Sequence, residues 1–352
     1  MAGLVDPLVV PGPAARLLNT VVAGRAEGVG GFEHQPVMVE EVLAGLRPQA
    51  GGRYVDCTVG GGGHAEAILR AGGATARVLG CDRDPAALEA AAARLGAYAG
   101  QWELRLGSFE RLGEWLEAGS CDGAVADLGV SSHQFDSPER GFSFQVDGPL
   151  GMQMTPGEGP DAAELVNGLP VDELARLFEE LGDERHARRI ARAIGQERAS
   201  QAIRTTRQLA SLIERCVPRG GRKVHPATRV FQALRMAVND ELGGLERGLR
   251  AVWRVLKPSG RLVCITFHSG EARIVKRFGA ERSRGYAAAE GVDIPELRRE
   301  RPPLLRWVTR RPQVPGEAEC GANPRARSAQ VRVMEKLADE SEGHESHHGE
   351  KP

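Results

Sequence analysis

Short apolar runs alternate with amphipathic stretches over much of this chain. The apolar runs predict strands at 53–58, 77–82, 102–106, 121–127 and 260–267, and helix patterns follow the first two at 64–72 and 85–95. A series of this kind predicts a parallel sheet that is covered by helices on both faces. Ligands bind such a sheet at the carboxyl ends of its strands, so the residues that follow each strand are the first candidates for function.

The interval from about 138 to 226 interrupts the alternation. It contains a glycine-rich stretch at 141–159 and then helix patterns at 171–178, 185–194 and 206–216. The sheet pattern returns only after a long predicted helix at 227–242 and a further helix that ends at Leu256. We therefore expect a discontinuous core domain, made of 33–137 and 227–335, with an inserted helical domain at 138–226.

The two ends of the chain lack a periodic apolar pattern. Residues 1–32 and 336–352 are rich in small, polar or charged residues, which predicts a disordered N-terminal extension and a disordered tail. The tail contains His344, His347 and His348. A metal site is not expected there, because a mobile segment does not fix the geometry of its ligands.

Composition narrows the class of protein. With 352 residues, of which 41% are apolar, the chain is long enough for two domains and a buried core. No basic segment precedes an apolar run near the start, so we predict a cytoplasmic protein with no membrane partner. The six cysteines include no C-x-x-C pair, which gives no sign of a zinc or redox site. The net charge is −1, but Arg298–Arg311 contains six arginines and one glutamate, which leaves a local nucleic-acid contact open.

Four consecutive glycines, Gly60–Gly63, separate the first predicted strand from the first predicted helix. Glycines at this position let the backbone approach a ligand closely, and the helix that follows presents free N–H groups. The next strand ends in Asp82, at the position where Rossmann-like units bind ribose hydroxyls. The glycines lack the G-x-G-x-x-G spacing, which favours S-adenosylmethionine over NAD. A tight connection between strand and helix, without a ligand, is the alternative.

The strand at 121–127 ends in Asp127, which the sheet edge would bring close to the glycines. A carboxylate there suits amine methylation, because hydrogen bonds from the amine would localise a lone pair that is otherwise delocalised into the base. The simpler interpretation is that Asp127 caps the next turn.

Beyond these features, ordered motifs from His34 to about Glu335 resemble the RsmH/MraW family of S-adenosylmethionine-dependent 16S ribosomal RNA cytosine-N4 methyltransferases. They are His34-Gln35-Pro36-Val37-Met38, Gly60–His64, Cys81-Asp82-Arg83-Asp84-Pro85, Gly107-Ser108-Phe109, Asp127–Ser132, Glu139–Phe144, Gly182-Asp183-Glu184-Arg185, His225–Arg235, Phe267-His268-Ser269 and Asn323–Ser328. The resemblance implies an α/β fold with a Rossmann-like class I methyltransferase sheet and an inserted small helical domain. It also implies 16S rRNA or the small ribosomal subunit as partner, and a homodimer is possible.

The resemblance also assigns roles to residues. Contacts to S-adenosylmethionine are expected from Gly62, Gly63, His64, Asp82, Phe109, Asp127 and Gln134, and contacts to RNA from Arg140, Arg229, Arg235, Arg325 and Arg327. Asp127 is the candidate that orients the target amine. His268 is the second catalytic candidate, with a structural role as its alternative. Arg229 and Arg235 are six residues apart on one predicted helix, so they lie on different faces.

The chain departs from the family pattern at Gly151, Gln153, Thr155 and Ala272, all on the expected substrate side. An alternative function is therefore a cofactor-binding RNA or ribosome-assembly protein with weakened catalysis. A methyltransferase that acts on DNA or protein is a further alternative, because one fold hosts many substrates.

Overall fold

In the computed structural model of the protein, the described residues are 36–129, 132–217, 225–287 and 293–337. The predicted N-terminal extension and almost all of the predicted tail, including its three histidines, lie outside these residues. Lys336, the first residue of the predicted tail, is buried at the end of a strand. The folded core therefore extends past the point at which the tail was predicted to begin.

The strands follow the predicted positions closely in the first half of the chain. They are β1 Arg53–Asp56, β2 Arg77–Asp82, β3 Trp102–Leu106, β4 Cys121–Asp127, β5 Leu256–Thr266, β6 Tyr286–Ala287, β7 Arg299–Glu300, β8 Leu305–Trp307 and β9 Gln330–Lys336.

The helices in chain order are α1 Val39–Leu46, α2 Gly63–Gly72, α3 Pro85–Leu95, α4 Leu112–Trp115, α5 Ser132–Asp136, α6 Ala162–Gly168, α7 Val171–Glu180, α8 Ala187–Arg198, α9 Thr206–Cys216, α10 Thr228–Val238, α11 Glu241–Val255, α12 Ser269–Ser283 and α13 Glu317–Ala322. Short 3-10 turns add Phe109–Arg111, Pro138–Arg140 and Pro324–Ser328. No helix among the described residues has the length and apolar character needed to cross a bilayer.

Seven strands form one sheet in the order β3-β2-β1-β4-β5-β9-β8. The pairs from β3 to β5 are parallel, as predicted, and both pairs that involve β9 are antiparallel. The switch from β1–β2–β3 on one side to β4–β5 on the other creates the crevice in which α/β sheets bind ligands. The structure thus has the Rossmann-like α/β sheet that was predicted, and the predicted fold class is confirmed.

Side chains that alternate along the strands fill a separate core on each face of the sheet. Val78, Val125 and Val263 pack with α1, α2 and α3, whereas Val55 and Leu79 pack on the opposite face with α11 and α12. The apolar strands are buried on both sides, as a parallel sheet requires.

Helices α6–α10 share a third apolar core, which includes Leu174, Phe178, Ile190 and Ile194. This helical cluster lies within the interval predicted as an inserted domain, and it also includes Leu234 of α10. The next helix, α11, packs on the sheet instead. The division of the chain into domains stays a prediction.

The long helix predicted at 227–242 was wrong, because two helices occupy this stretch. Helix α10 ends at Val238, and Asp240 adopts a left-handed conformation with φ 46° before α11 begins. Between them, the buried Asn239 side chain donates to the carbonyl oxygens of Met152 and Arg235 and accepts from the N–H of Met154. The amide group of Asn239 therefore ties the end of α10 to the segment at Met152 and Met154, which packs in the same helical cluster.

We expect Asn239→Ala to lower the free energy of unfolding by about 2–3 kcal/mol, because buried backbone groups of Met152 and Met154 lose their partner. Urea unfolding followed by circular dichroism measures the change. Ser200→Ala, which removes an exposed hydrogen bond to the Glu197 carbonyl, is the control and should change stability by less than about 0.5 kcal/mol. Equal effects of the two substitutions would contradict the role given to Asn239.

Candidate active site

A cavity of about 570 Å³ opens at the carboxyl ends of β1, β2, β4 and β5. One wall consists of the glycine loop and the residues that follow β2 and β4. The other wall comes from α10, α11 and the start of α12, and it includes Arg235, Glu241, His268 and Glu271. This volume suits a small-molecule site, and it leaves room for a group beside a cofactor.

Three of the four glycines in the loop, Gly60, Gly62 and Gly63, each have a separate structural reason. Gly60 has φ 48°, and its N–H donates to Oδ2 of Asp82 at 3.0 Å. A Cβ on Gly63 would lie 2.8 Å from Cγ of Pro36, so the loop packs against the start of the described chain. Gly62 has φ 79° and faces Ala91 of α3 rather than the cavity, although it was predicted as a cofactor contact. Gly60, Gly61 and Gly63 are the glycines that line the cavity here.

Asp82 and Asp127 end two parallel strands and both line the cavity, and Asp56 ends β1 between them. Burial is the main cause of the raised pKa values of all three carboxyls. The pKa of Asp56 rises to about 7 and that of Asp82 to about 6, although backbone N–H groups partly offset the effect. The pKa of Asp127 lies well above its usual range, because the charges of Asp56 and Glu271 add to burial.

Asp127 is held by its backbone and leaves one oxygen free. Its N–H donates to Thr58 Oγ1 at 2.8 Å, and its Oδ2 lies 3.8 Å from Nδ1 of His64. The His64 ring is fixed at its other nitrogen, which lies 2.8 Å from the Val37 carbonyl oxygen. Oδ1 of Asp127 is buried and has no hydrogen-bond partner among the described residues. A buried acceptor of this kind is available to a donor that enters the cavity.

Phe109 lines the cavity as predicted, and the structure shows what seats it there. Its ring packs on α11 at Gly248, where a Cβ would overlap the ring. No role for Gly248 was predicted from the sequence, because a helix pattern does not show which distant side chain packs on a glycine within it. The sequence does contain an indication of this contact. A glycine in a helix interior lowers the stability of the helix, so its presence indicates close packing at that point.

Gln134 and Arg140 meet at one buried carboxylate. Gln134 Nε2 donates to Asp84 Oδ2 at 3.0 Å, and Arg140 Nη1 donates to the same oxygen at 2.8 Å. Asp84 also caps α3 through its other oxygen. Nη2 of Arg140 donates to the carbonyl oxygens of Gln153 and Met154. Arg140 thus contacts protein and does not line the cavity, whereas its predicted role was RNA contact.

The other predicted RNA contacts are divided between the cavity and the surface. Arg235 and Arg325 line the cavity, and Arg325 forms an ion pair with Asp136 at 2.8 Å. Arg327 is exposed. Arg229 donates to the carbonyl oxygen of Asp183 and lies outside the cavity lining. Arg229 and Arg235 therefore have different surroundings, in agreement with their predicted positions on different faces.

His268 lies at the cavity and also caps α12. Its Nδ1 accepts from the N–H of Glu271, whose carboxylate accepts from the N–H of Phe267 at 2.7 Å. Ligand-type atoms of Glu241, His268 and Glu271 lie within 4.8 Å of one another. However, both oxygens of Glu241 accept from Arg235, so a guanidinium already supplies the positive charge of this group.

A family model described as the MraW methylase family matches residues 31–337. The chain is 48% identical to the ribosomal RNA small subunit methyltransferase H of Geobacter sulfurreducens, over 87% of this chain and 99% of the relative. The same identity holds for the protein of that name from Syntrophotalea carbinolica, over 87% and 98%. The chain belongs to the MraW methylase family.

A solved rRNA methylase structure from Streptococcus thermophilus matches with 10% identity and a TM-score of 0.39, over 88% of this chain and 100% of that one. A similarity at this level adds nothing to the sheet order described above. The family membership confirms the assignment that the sequence motifs predicted. It also identifies the protein as a methyltransferase that uses S-adenosylmethionine.

The cavity of this MraW-family protein fits S-adenosylmethionine on three observations. Gly60, Gly61 and Gly63 line the cavity with backbone alone, and Phe109 offers a flat apolar face for a purine. Three buried carboxyls surround the strand ends, and the cofactor carries a positive sulfonium and an ammonium group that offset their burial. The individual contacts of the predicted cofactor residues stay predictions.

The departures from the family pattern are accommodated locally. Gln153 bonds within its own loop, where Nε2 donates to the carbonyl oxygens of Glu158 and Gly159. Thr155 Oγ1 donates to the Arg83 carbonyl oxygen at 3.1 Å. A Cβ on Gly151 would lie 3.4 Å from its nearest neighbour, so this position does not depend on glycine for space. The contacts of Gln153 and Thr155 hold this loop in place. The cavity lining includes none of the residues Gly151, Gln153 and Thr155.

We expect Gly248→Ala to weaken S-adenosylmethionine binding by roughly tenfold, since an overpacked contact of about 1–3 kcal/mol would push the Phe109 ring out of position. Isothermal titration calorimetry measures the dissociation constant. Gly96→Ala, which adds a methyl group in open space after α3, is the control and should bind normally. An unchanged dissociation constant in Gly248→Ala would contradict the seating of Phe109 by α11.

Binding of S-adenosylmethionine should strengthen as the pH rises from 5.5 to 7.5. The pKa of Asp82 is about 6 and that of Asp56 about 7, so both carboxyls lose protons across this range. A cationic ligand favours the ionised forms, and each proton released on binding changes the affinity by up to about tenfold per pH unit. Calorimetry at several pH values checks this. S-adenosylhomocysteine, which lacks the sulfonium charge, should show a flatter profile, and equal profiles would contradict the role of charge.

Proposed function

We propose that this protein transfers a methyl group from S-adenosylmethionine to the N4 amine of a cytidine in 16S ribosomal RNA of the small subunit, in the cytoplasm. The names of its relatives and the ordered motifs support the substrate. The observation that carries the proposal is the unpartnered Oδ1 of Asp127 at the wall of the cavity.

The exocyclic amine of cytosine is a weak nucleophile, because its lone pair is delocalised into the ring. S-adenosylmethionine would supply an electrophilic methyl group on a positively charged sulfur: the bond from N4 to the methyl carbon forms as the sulfur–methyl bond breaks, S-adenosylhomocysteine leaves, and the methylated nitrogen releases one proton to solvent. Asp127 accepts a hydrogen bond from the amine at Oδ1, which localises the lone pair on N4 and fixes its direction. Thr58 Oγ1 accepts from the backbone N–H of Asp127, and His64 Nδ1 lies 3.8 Å from the other carboxyl oxygen, Oδ2. A fixed acceptor of this kind costs no reorganisation during reaction.

The target base has to leave its stack to reach this acceptor, since a paired amine is occupied. Exposed arginines outside the cavity offer contacts to the RNA backbone. They include Arg327 and, in the arginine-rich segment after β7, Arg310 and Arg311, which have no ion-pair partner among the described residues. Arg325 lies at the cavity wall between these surfaces and the target.

Wild-type protein should transfer labelled methyl groups to small subunits from cells that lack the gene, and nucleoside mass spectrometry should identify N4-methylcytidine. Asp127→Asn should lower the rate of methyl transfer by about 100-fold or more even at a saturating concentration of cofactor, which separates this effect from any loss of cofactor affinity. Asp122→Asn, at the other end of β4 and paired with Lys257, is the matched control and should retain activity.

Absence of N4-methylcytidine with wild-type protein and bound cofactor would contradict the proposal and favour the assembly-protein alternative. Methylation of another base, of DNA or of protein would identify a different substrate. Full activity of Asp127→Asn would remove Asp127 from its proposed role while leaving the substrate unchanged.

A further inference from the structure

We propose that the Arg235–Glu241 pair reads the Watson–Crick edge of the target cytosine, with the free end of the guanidinium donating to N3 and O2 of the base. The proposal rests on the proposed function, since it concerns the base that is methylated. It assigns Arg235 to base selection rather than to the RNA backbone.

Glu241 holds the Arg235 guanidinium in one orientation. Nε of Arg235 donates to Oε1 of Glu241 at 2.7 Å, and Nη2 donates to Oε2 at 2.8 Å. Both side chains are about nine-tenths buried, at 12% and 10% exposure. Two parallel hydrogen bonds fix a guanidinium far more firmly than a single bond does.

The fixed orientation leaves Nη1 for a ligand. Nη1 forms no hydrogen bond with any described residue, and Arg235 lines the cavity. A phosphate is a poor match for this position, since the carboxylate of Glu241 neutralises the guanidinium and would repel a second anion. A neutral acceptor, such as a base edge, is a better match.

Arg235 and Asp127 line the same cavity. Ligand-type atoms of Glu241, the partner of Arg235, and of Glu271 and His268 lie within 4.8 Å of one another, and these residues line that cavity as well. Asp127 belongs to the sheet edge, and Arg235 belongs to α10. The cavity therefore presents a hydrogen-bond acceptor on one wall and donors on the other.

This order of groups matches cytosine and not uracil. Along its Watson–Crick edge, cytosine presents the N4 amine as donor and then N3 and O2 as acceptors. Uracil presents an acceptor at O4, which would face the Asp127 carboxyl, and an N3–H donor, which would face the guanidinium. A buried polar group left facing a like group costs free energy, so two mismatches give strong discrimination.

The test uses small subunits reconstituted with rRNA that carries 3-deazacytidine at the methylated position, which removes only the N3 acceptor. Binding is measured with S-adenosylhomocysteine present, so the readout does not depend on turnover. Wild-type protein should bind the 3-deazacytidine subunits at least tenfold more weakly than the cytidine subunits, as expected for loss of a hydrogen bond to a charged donor.

Arg235→Gln should lose most of this preference while the dissociation constant for S-adenosylmethionine stays within twofold. Because Arg235→Gln leaves Glu241 buried without its partner, the double variant Arg235→Gln/Glu241→Gln provides a second test with no unpaired charge. Arg277→Gln, which breaks an exposed pair with Glu246, is the control and should keep the wild-type preference.

Equal binding of the two subunits by wild-type protein would overturn the proposal, and so would a full preference in the double variant. Failure of the proposed function is a separate result. In that case wild-type protein would not form N4-methylcytidine on unmodified subunits, whatever the substitution at Arg235.

Discussion

Parallel pairing of β1 with β2 and β4 is the constraint on which the rest of the site depends. The register aligns Asp56 with Gly80 on one side and with Val125 on the other, so the three strands end at nearly the same level. Their terminal acids therefore lie close together, with Asp56 fully buried and Asp82 and Asp127 partly exposed at the cavity. The protein keeps these acids close with few cations nearby, and their raised pKa values follow from that arrangement. Holding several ionised carboxylates close together away from water costs free energy, and a cationic cofactor lowers that cost. The arrangement of the acids therefore also favours binding of the cofactor.

The second wall of the cavity depends on the break between α10 and α11. If the helix continued through Asp240, Arg235 and Glu241 would still lie on one helix, but the Asn239 amide would not hold Met152 and Met154. Arg140 contacts the same segment, because its Nη2 donates to the carbonyl oxygens of Gln153 and Met154. Arg140 also donates to Asp84, which follows β2, so this side chain links the segment to the cofactor edge. This explains why Arg140, an arginine expected at the RNA, lies inside the protein.

Much of the sheet and the cofactor edge could be predicted from the sequence, because their signals are local. Apolar strands that end in Asp82 and Asp127, or that are followed by Gly60, predict both the fold and the position of the site. The break at Asn239 was missed because its cause is not local, since the partners of its side chain lie more than 80 residues away. Strand β9 was missed for a related reason. Its buried Glu335 and Lys336 are explained only by Arg261, Arg306 and the carbonyls that end α11.

The place of β9 within the sheet has a consequence for biosynthesis. Lys336 donates to the carbonyl oxygens of Trp253 and Leu256, and β9 lies between β5 and β8 rather than at an edge. The sheet cannot be completed until nearly the whole domain has left the ribosomal exit tunnel, whereas the helices of the inserted region need only near neighbours in the chain. During translation, the helical cluster can therefore form before the sheet is complete, and β9 joins the sheet last.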